Sequence, residues 1–411
     1  MRAGLLGRKL THSFSPQIHR MLASYSYDLF EVEPDALETF IRSDRFDALN
    51  VTIPYKKAVI PYLSEISADA KAIGSVNTIV KRPDGSLFGD NTDAAGFRGM
   101  IERLGVNPKG KKALVLGSGG ASVTCVHVLK SMGARDAIVI SRSGENNYDN
   151  IEKHADAEIL VNATPVGMYP NNDASPVDIA RLPQLKAVLD LIYNPARTRV
   201  IQSALDKGVP ALGGLYMLVE QARRASEIFT GSVIPREKTD EIHAKLRCDT
   251  ENIVLIGMPG CGKSSIGRML SEKTGRELID ADARIVEKIG CSIPEFFKTH
   301  SEAEFRAVET QVLREIGALS GKIIATGGGC VTIPENKRLL TQNGVVFYIR
   351  RDVSLLPTDG RPLSKANPLN EMYKIRKPLY ESFADKQIDN SASLQEAAGR
   401  ILEVYYETTG H

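Results

Sequence analysis

Residues 257–264 read GMPGCGKS, and no other stretch constrains the fold of this chain as strongly. The octapeptide has the form G-x-x-x-x-G-K-S, a glycine-rich loop that places its backbone N–H groups around nucleotide phosphates. The apolar run NIVLI at 252–256 precedes it and has the composition of a buried strand. Together they predict an α/β domain with a central parallel sheet that starts near residue 250.

The same loop assigns roles to individual side chains. Lys263 would bridge the β- and γ-phosphates, and the Ser264 hydroxyl would ligate Mg²⁺. The other predicted phosphate contacts in the loop are Gly260, Cys261, Gly262 and Ser265. The next apolar run ends in IDADA, where Asp280 and Asp282 share one side if the segment is extended. One carboxylate would reach the water shell of the metal and the other an acceptor hydroxyl.

Further motifs follow the loop. EFRAVE places Arg306 and Glu309 on one helix face, where the plain alternative is a surface pair three residues apart. TGGG at 326–329 leaves room for a ligand to approach the backbone. DGRPLS has the polarity of a lid segment and carries Arg361, and Arg376 precedes KPLY.

A second glycine loop, GSGGAS at 117–122, lies inside KKALVLGSGGASVTCVHVLKSMGARDAIVIS. The order is apolar strand, glycine turn, helix and second apolar strand, which predicts a βαβ unit. Such a turn lets backbone N–H groups and a helix N-terminus approach a pyrophosphate, although a simple tight turn remains the alternative. The predicted dinucleotide contacts are Gly117, Ser118, Gly119, Gly120 and Ala121.

The second strand of this unit ends at Ser141 and Arg142. A site for NAD would carry an acidic side chain there, to bind the ribose 2′-hydroxyl. An arginine instead suits a 2′-phosphate through charge-assisted hydrogen bonds. The sequence therefore favours NADP(H), with a mixed cofactor preference as the alternative.

Polar residues upstream occupy places where a core would have apolar ones. HSFSP sets two serines on one side if it is extended, and helices are expected near 16–24 and 64–73. The polar residues in question are Ser13, Ser15, Asn50, Thr52, Lys56, Asn77 and Asp93. Singly each is an ordinary turn or surface residue, but together they predict a pocket for a hydroxylated acid.

Residues 1 to about 245 resemble the shikimate dehydrogenase family. The matching motifs are HSFSP, NVTIPYK, IGSVNT, GDNTD, GSGGA, NATPVGM, YNP and MLVEQA. The resemblance implies reversible hydride transfer between NADPH and 3-dehydroshikimate, with Lys56 and Asp93 as the catalytic pair. It implies that Leu191 and Gly214 join the NADP(H) contacts. The implied substrate contacts are Ser13, Ser15, Thr52, Asn77, Tyr193 and Gln221.

Residues from about 250 to 411 resemble the shikimate kinase family. The matching motifs are GMPGCGKSS, IDADA, SIPEFF, SEAEFRAVE, TGGG, RPL and RKPLY. The resemblance implies that Asp282, Arg306, Gly328 and Arg376 bind shikimate, with Lys263 and Asp282 in catalysis. It also implies that Arg361 reaches the phosphates of ATP and that Asp280 positions Mg²⁺. The segment IDNSAS lacks the arginine that some members carry, which leaves the adenine contact open.

Length and composition bound the organisation of the chain. At 411 residues it exceeds what one hydrophobic core supports, so two or three domains are expected. A formal net charge of +2 gives no overall basic field for nucleic acid, and no apolar run approaches the roughly 20 residues of a membrane span. Five cysteines without a C-x-x-C pair fit a reducing, cytoplasmic location and give no sign of zinc.

The resulting prediction is an α/β protein in three parts. A substrate-binding domain is expected over 1–98 with helices at 214–247, a Rossmann-type NADP domain over 99–213, and a phosphate-loop kinase domain over 250–411. The product implied for the first half is the substrate implied for the second, which predicts a bifunctional enzyme acting on small molecules. The alternatives are an NAD-dependent, quinate-preferring dehydrogenase fused to the same kinase, or a non-catalytic sensor.

Overall fold

The computed structural model of the chain describes residues 1–10, 13–356 and 369–411. These residues form two compact units. The first comprises Met1–Tyr193 and Thr198–His243, and the second comprises Asn194–Arg197 and Ala244–His411. Among the described residues, no helix is both long and apolar enough to cross a membrane.

The first sheet of the first unit is mixed, in the order β2-β1-β3-β5-β6-β4. Its strands are β1 Arg2–Gly7, β2 Ser26–Glu31, β3 Ala48–Val51, β4 Glu65–Ile66, β5 Thr78–Lys81 and β6 Leu87–Asp90. The pairs β3–β5 and β5–β6 are antiparallel and the other pairs are parallel. The register sets Asn50 opposite Thr78, and Thr78 opposite Asp90, so polar residues from three strands meet at one end of the sheet.

The helices of this region are α1 Ser15–Leu22, α2 Leu37–Ile41, α3 Ala68–Ile73 and α4 Thr92–Arg103. The predicted helix near 64–73 is wrong in its first part, because residues 65 and 66 form β4. Ser67 starts α3 by accepting a hydrogen bond from the N–H of Ala70, which satisfies a free donor of the first turn. Pro16 lies in the first turn of α1, where its fixed φ and missing N–H cost nothing.

The second sheet of the first unit is wholly parallel, in the order β11-β10-β9-β7-β8. Its strands are β7 Lys112–Leu116, β8 Asp136–Ile140, β9 Ile159–Asn162, β10 Ala187–Asp190 and β11 Ala211–Leu212. The helices that follow are α5 Gly120–Ser131, α6 Arg199–Asp206, α7 Leu215–Thr230 and α8 Glu237–Thr250. Leu114 and Leu116 of β7 pack into one core cluster while Ala113 and Val115 pack into another, so both faces of the sheet are covered.

The second unit contains another wholly parallel sheet, in the order β13-β14-β12-β15-β16. Its strands are β12 Asn252–Ile256, β13 Leu278–Asp280, β14 Ile323–Ala325, β15 Gly344–Arg350 and β16 Lys386–Asp389. Its helices are α9 Lys263–Thr274, α10 Ala281–Ile289, α11 Ile293–Thr299, α12 Glu302–Gly317, α13 Glu335–Thr341, α14 Leu369–Phe383 and α15 Leu394–Thr409.

Both parallel sheets confirm the predicted α/β class and the predicted βαβ arrangement around each glycine loop. All five residues of β7 and all five of β12 are buried, and four of the five are apolar in each strand, as expected for a sheet that is covered on both faces. Each glycine loop follows such a strand at the carboxyl edge of its sheet. Ligands of open α/β folds bind at this edge, so the fold has one candidate ligand site at each of the two glycine loops.

Candidate active sites

The first cluster joins the loop after β3 to the start of α4. Lys56 Nζ donates to Asp93 Oδ2 over 2.6 Å, and the two side chains are 32% and 22% exposed. The other oxygen, Asp93 Oδ1, accepts a hydrogen bond of 2.9 Å from the Asn77 side chain. An ammonium group thus sits in a fixed position at the surface of the fold, with a carboxylate orienting it.

Asn77 holds this arrangement together. Its side-chain oxygen accepts from the N–H of Thr92, the first residue of α4, over 2.7 Å. Its backbone bonds Val51 on one side and Asp90 on the other. Because Asn77 is only 3% exposed, it acts as a cap for α4 supplied by a neighbouring segment, and it thereby fixes Asp93.

Three other predicted substrate contacts are Gln221, Tyr193 and Thr52. Gln221 on α7 lies 3.5 Å from the hydroxyl of Thr92. Tyr193 packs edge-on against Phe14, with ring centroids 6.0 Å apart, so it lies beside the serine segment. Thr52 directly follows β3 and is partly exposed. The fold thus brings Tyr193 next to Phe14 and Gln221 next to Thr92, although each pair is far apart in sequence.

The serine segment differs from the extended form expected for it. Ser15 is the first residue of α1, and its N–H donates to Ser13 Oγ over 3.2 Å. The two serines were expected to share a side only if the segment is extended, and the helix start at Ser15 means that this condition is not met. Pro16 was the sequence signal for this helix, because proline is favoured in the first turn and a helix that starts at Ser15 places it there.

The glycine loop after β7 is built for close approach from outside. Gly117 has φ +98°, a conformation that glycine alone adopts without strain, and it packs on Thr164. A Cβ on Gly119 or Gly120 would meet no atom within 4 Å, so the loop faces open space where α5 begins. The N-terminus of α5 therefore presents free backbone N–H groups to a ligand.

The other predicted NADP(H) contacts lie on neighbouring strands and loops. Ser141 and Arg142 follow β8, the neighbour of β7, and the Arg142 side chain is exposed. A Cβ on Gly214 would lie 2.1 Å from the carbonyl oxygen of Leu191, so these two predicted NADP(H) contacts touch each other. Ser118 and Ala121 belong to the same exposed turn.

The second unit holds a cavity of about 710 Å³ at the carboxyl edge of its sheet. The phosphate loop forms one wall. Gly257, Gly260 and Gly262 have φ values of +146°, +84° and +102°, which bend the loop around its centre. Lys263 is 8% exposed, and its Nζ donates to the carbonyls of Gly257 and Met258 over 2.9 and 3.0 Å.

Ser264 and Asp280 face each other across this wall. The Ser264 hydroxyl donates to Asp280 Oδ2 over 2.8 Å. Asp280 ends β13 and caps α10, accepting from the N–H groups of Asp282 and Ala283 over 3.0 and 3.3 Å. The expectation that Asp280 and Asp282 share a side of an extended segment is wrong, because an aspartate in this position starts a helix.

The opposite wall concentrates buried charge. Arg306 donates to Glu309 over 2.7 Å and to Glu302 over 3.0 Å, and Arg306 and Glu309 are 7% and 1% exposed. The alternative of an ordinary surface pair is therefore excluded. A Cβ on Gly327 would lie 2.8 Å from Asp282 Oδ1 and 2.9 Å from Glu309 Oε1. Burial raises the pKa of the Glu309 carboxyl, and the nearby Asp282 charge adds to this against the opposing effect of Arg306.

The glycine run after β14 is held from the other side by α14. The Gly328 carbonyl accepts from Tyr380 Oη over 2.5 Å and from Arg376 Nη1 over 3.2 Å. Pro259 of the phosphate loop packs on Gly328, since a Cβ there would lie 2.6 Å from its Cδ. Tyr380 was not anticipated as a site residue, although it ends the RKPLY motif.

Comparisons with known proteins agree with both halves. A family model described as "Shikimate dehydrogenase substrate binding domain" matches residues 5–79, and one described as "Shikimate kinase" matches residues 259–406. Shikimate dehydrogenase (NADP(+)) of Clostridium perfringens is 36% identical over 266 residues, covering 60% of this chain and 98% of that protein. The enzyme of Methanopyrus kandleri is also 36% identical over 266 residues, covering 57% and 91%.

Solved structures agree with the dehydrogenase half. A chorismate mutase/shikimate 5-dehydrogenase fusion protein from Clostridium acetobutylicum aligns with a TM-score of 0.56 at 37% identity, over 59% of this chain and 96% of that one. Shikimate 5-dehydrogenase from Thermus thermophilus, in complex with NADP(H) and shikimate, aligns with a TM-score of 0.54 at 32% identity, over 59% and 97%.

The chain belongs to the shikimate dehydrogenase family. The match to the shikimate kinase model over residues 259–406 adds a second enzyme domain. The predicted fusion of a shikimate dehydrogenase with a shikimate kinase is therefore confirmed, and the chain is a bifunctional shikimate-pathway enzyme. The names given to the relatives include NADP(+), which agrees with the predicted cofactor.

The kinase unit has oxygen ligands that fit a hard cation. The Ser264 hydroxyl and the Asp280 carboxylate supply such oxygens side by side at the phosphate loop. Over the part of the chain that the structure describes, no group of three or more His, Cys, Asp or Glu side chains could hold a metal. Mg²⁺ is commonly bound by one or two protein oxygens and keeps waters and substrate phosphates in the rest of its shell. Arg361, predicted to reach the ATP phosphates, lies outside the described residues.

Proposed function

We propose that the dehydrogenase unit reduces 3-dehydroshikimate to shikimate with NADPH, and that the kinase unit phosphorylates shikimate at its 3-hydroxyl with ATP. One observation carries the proposal: each unit combines a cluster of charged side chains with a glycine loop that suits a nucleotide. In the dehydrogenase unit the cluster is Lys56 with Asp93. In the kinase unit it is Arg306, Arg376 and Asp282 along the cavity.

In the dehydrogenase unit, Lys56 serves as the proton donor. When bound, the nicotinamide supplies the hydride to the ketone carbon. Lys56 Nζ then gives its proton to the carbonyl oxygen as that oxygen gains charge, and the same group takes the proton back in reverse. Asp93 holds the ammonium in place through the 2.6 Å contact, and Asn77 holds Asp93.

Hydroxyl and amide groups would orient the ring of the substrate around this pair. Among these groups, Asn77 contacts Asp93 directly, and Gln221 lies 3.5 Å from Thr92, the residue before Asp93. The proposed substrate contacts are Ser13, Ser15, Thr52, Asn77, Tyr193 and Gln221. The proposed NADP(H) contacts are Gly117, Ser118, Gly119, Gly120, Ala121, Ser141, Arg142, Leu191 and Gly214. Arg142 would bind the 2′-phosphate, because it is an exposed cation at the end of the strand next to the loop.

In the kinase unit, two arginines would bind the carboxylate of shikimate. Arg306 and Arg376 line the same cavity, and a guanidinium matches a carboxylate in shape and charge. Asp282 then takes the proton of the reacting hydroxyl. Backbone N–H groups of Gly260, Cys261, Gly262 and Ser265, with Lys263, hold the phosphates in line, which is most of what phosphoryl transfer needs. When bound to Ser264 and Asp280, Mg²⁺ neutralises charge on those phosphates.

We further propose the domain boundaries expected above, 1–98 with 214–247, 99–213 and 250–411. The segments 1–98 and 214–247 contain the mixed sheet and most of α7 and α8, which supports the first boundary. The segment 99–213 contains the parallel sheet of the dehydrogenase unit, which supports the second. The partners of the enzyme would be its small substrates and nucleotides.

A single incubation tests both halves. Purified protein is mixed with 3-dehydroshikimate, NADPH, ATP and Mg²⁺, and NADPH consumption and ADP formation are followed together. We expect NADPH to fall first and ADP to rise after shikimate forms. NADPH consumption without ADP formation would refute the kinase activity and leave the dehydrogenase activity. ADP formation only after shikimate is added would refute the dehydrogenase activity and leave the kinase activity. Replacing NADPH by NADH, and shikimate by quinate in the reverse direction, tests the alternative dehydrogenase.

A further inference from the structure

Arg351 is a cavity residue to which the sequence assigned no role. It directly follows β15 and precedes a short 3₁₀ helix at Val353–Leu355. In the sheet, β15 lies between β12, which feeds the phosphate loop, and β16. The strands β13 and β14, which are followed by the proposed shikimate contacts Asp282 and Gly328, lie on the other side of β12. Arg351 therefore emerges on the nucleotide side of the phosphate loop.

Backbone and side-chain contacts tie this strand end to the phosphate loop. The carbonyl of Arg350 accepts from the N–H of Asn390 over 2.8 Å. The Asn390 side chain in turn donates to the carbonyl of Cys261, inside the loop, over 2.7 Å. The residue before Arg351 is thus two hydrogen bonds from the loop that would surround the phosphates.

Arg351 differs from the other cations of the cavity in its partners. Lys263 donates to two loop carbonyls, Arg306 pairs with two glutamates, and Arg376 donates to Gly328. Arg351 also lines the cavity, and its Nε is buried without a hydrogen bond within residues 1–10, 13–356 and 369–411. The Nε of Arg306 is unbonded in the same way, but the other two nitrogens of Arg306 donate to the two glutamates. A buried donor without an acceptor is costly, so a guanidinium in this state is suited to an anion that enters the cavity.

We propose that Arg351 is a nucleotide-binding residue that contacts phosphate oxygens of ATP and ADP. The proposal rests on the proposed kinase function. A guanidinium presents a fixed fork of donors that matches phosphate oxygens, and it keeps its charge at every working pH. Shikimate is the less suitable anion, because the cavity already offers its carboxylate two other guanidinium groups, Arg306 and Arg376.

The test compares two neighbouring arginines in the full-length protein. R351Q removes the cavity guanidinium, and R350Q is the matched control, since Arg350 is exposed at the end of β15. Titration calorimetry measures the Kd of ADP, inorganic tripolyphosphate, adenosine and shikimate, with dehydrogenase activity as the check on folding. For R351Q we expect the Kd of ADP and of tripolyphosphate to rise by about tenfold or more, as loss of a charge-assisted hydrogen bond implies. Shikimate binding should stay within about twofold, and R350Q should change none of these.

R351K separates charge from shape. It should recover part of the lost ADP affinity, because a lysine keeps the charge but not the fork of donors. An unchanged ADP Kd in R351Q would overturn the proposal, as would a loss confined to shikimate or to adenosine. If the wild-type protein binds ADP but does not phosphorylate shikimate, the proposed function fails. A weakened tripolyphosphate affinity in R351Q would then still establish the anion site.

Discussion

Lys56 and Asp93 are 37 residues apart in sequence, yet Lys56 Nζ and Asp93 Oδ2 are 2.6 Å apart in the fold. The contact depends on the antiparallel register of β3, β5 and β6, which brings the loop after β3 to the start of α4. The carboxylate lies in the first turn of that helix, where the helix dipole favours negative charge. A single ammonium is thereby presented to the ligand.

Replacing Lys56 by methionine should abolish hydride transfer and leave phosphoryl transfer intact. Methionine keeps the length of the side chain and removes the proton donor, so dehydrogenase kcat should fall by about 10²- to 10⁴-fold. The exposed neighbour gives the control, since K57M should retain both activities. NADPH oxidation and ADP formation, measured on one preparation of each variant, check the outcome. Equal loss in K56M and K57M would contradict the role of Lys56.

Replacing Arg142 by alanine should separate the two nicotinamide cofactors. The exposed guanidinium would pair with the 2′-phosphate that NADPH carries and NADH lacks. R142A should therefore raise the KM for NADPH by about tenfold or more and leave the KM for NADH nearly unchanged. K153A, which removes another exposed cation of the same unit, is the control. Equal losses with both cofactors would refute the assignment to the 2′-phosphate.

The strands around both glycine loops were predictable because local signals agree there. NIVLI has four apolar residues after Asn252 and precedes a loop of known geometry, and β12 occupies those same five residues. The segments 13–15 and 280–282 were harder, since polar residues alone do not distinguish an extended chain from a helix start. In both, a local signal favoured the helix: Pro16 after Ser15 in one, and an aspartate at the cap position in the other.

Contacts set by tertiary structure could not be read from spacing. The pairing of Lys56 with Asp93 came from a resemblance to a family, because nothing local links the two residues. Tyr380 is a helix residue whose hydroxyl reaches the Gly328 carbonyl 52 residues away. The sequence assigned Arg351 no role, and only the fold distinguishes it from Arg350, because Arg351 lines the cavity and Arg350 does not. Such roles depend on which strand ends meet at the edge of a sheet.

Replacing Gly329 by alanine should impair the binding of shikimate in the kinase unit. Gly329 has φ −98°, so alanine fits the backbone, but its Cβ would lie 2.1 Å from Arg306 Nη2. The guanidinium would have to leave the position held by Glu309. The KM for shikimate should rise by about tenfold or more, as expected when a carboxylate loses a charge-assisted partner.

The control for this variant is another glycine-to-alanine change in the same unit. Gly399 lies on the exposed side of α15, and a Cβ there would meet no atom within 4 Å. G399A should leave both KM values unchanged and stabilise the helix by up to about 1 kcal/mol. Steady-state kinetics with shikimate and ATP varied in turn checks both variants. A rise in the KM for ATP alone in G329A would count against steric displacement of Arg306.

Asp190 links the stability of the dehydrogenase unit to pH. The side chain ends β10 and is completely buried. It accepts hydrogen bonds from the Thr198 hydroxyl over 2.5 Å, and from the Asn162 side chain and the Ile192 N–H over 3.0 Å. Burial nevertheless raises the pKa of its carboxyl from 3.8 to about 6, with those hydrogen bonds opposing the rise.

A raised pKa in the folded state means that folding favours the protonated form of Asp190. The stabilisation is fully present below about pH 4 and is lost as pH rises through about 6, with a total on the order of 3 kcal/mol. Asn in place of Asp cannot ionise and still offers an oxygen to Asn162 and Ile192, so D190N should lack this decline. We expect the thermal unfolding midpoint of D190N relative to wild type to increase between about pH 4 and pH 7. T198V, which removes a donor and leaves the carboxyl, should keep the decline. A constant difference between D190N and wild type across that range would show that Asp190 ionises as readily in the folded chain as in the unfolded one.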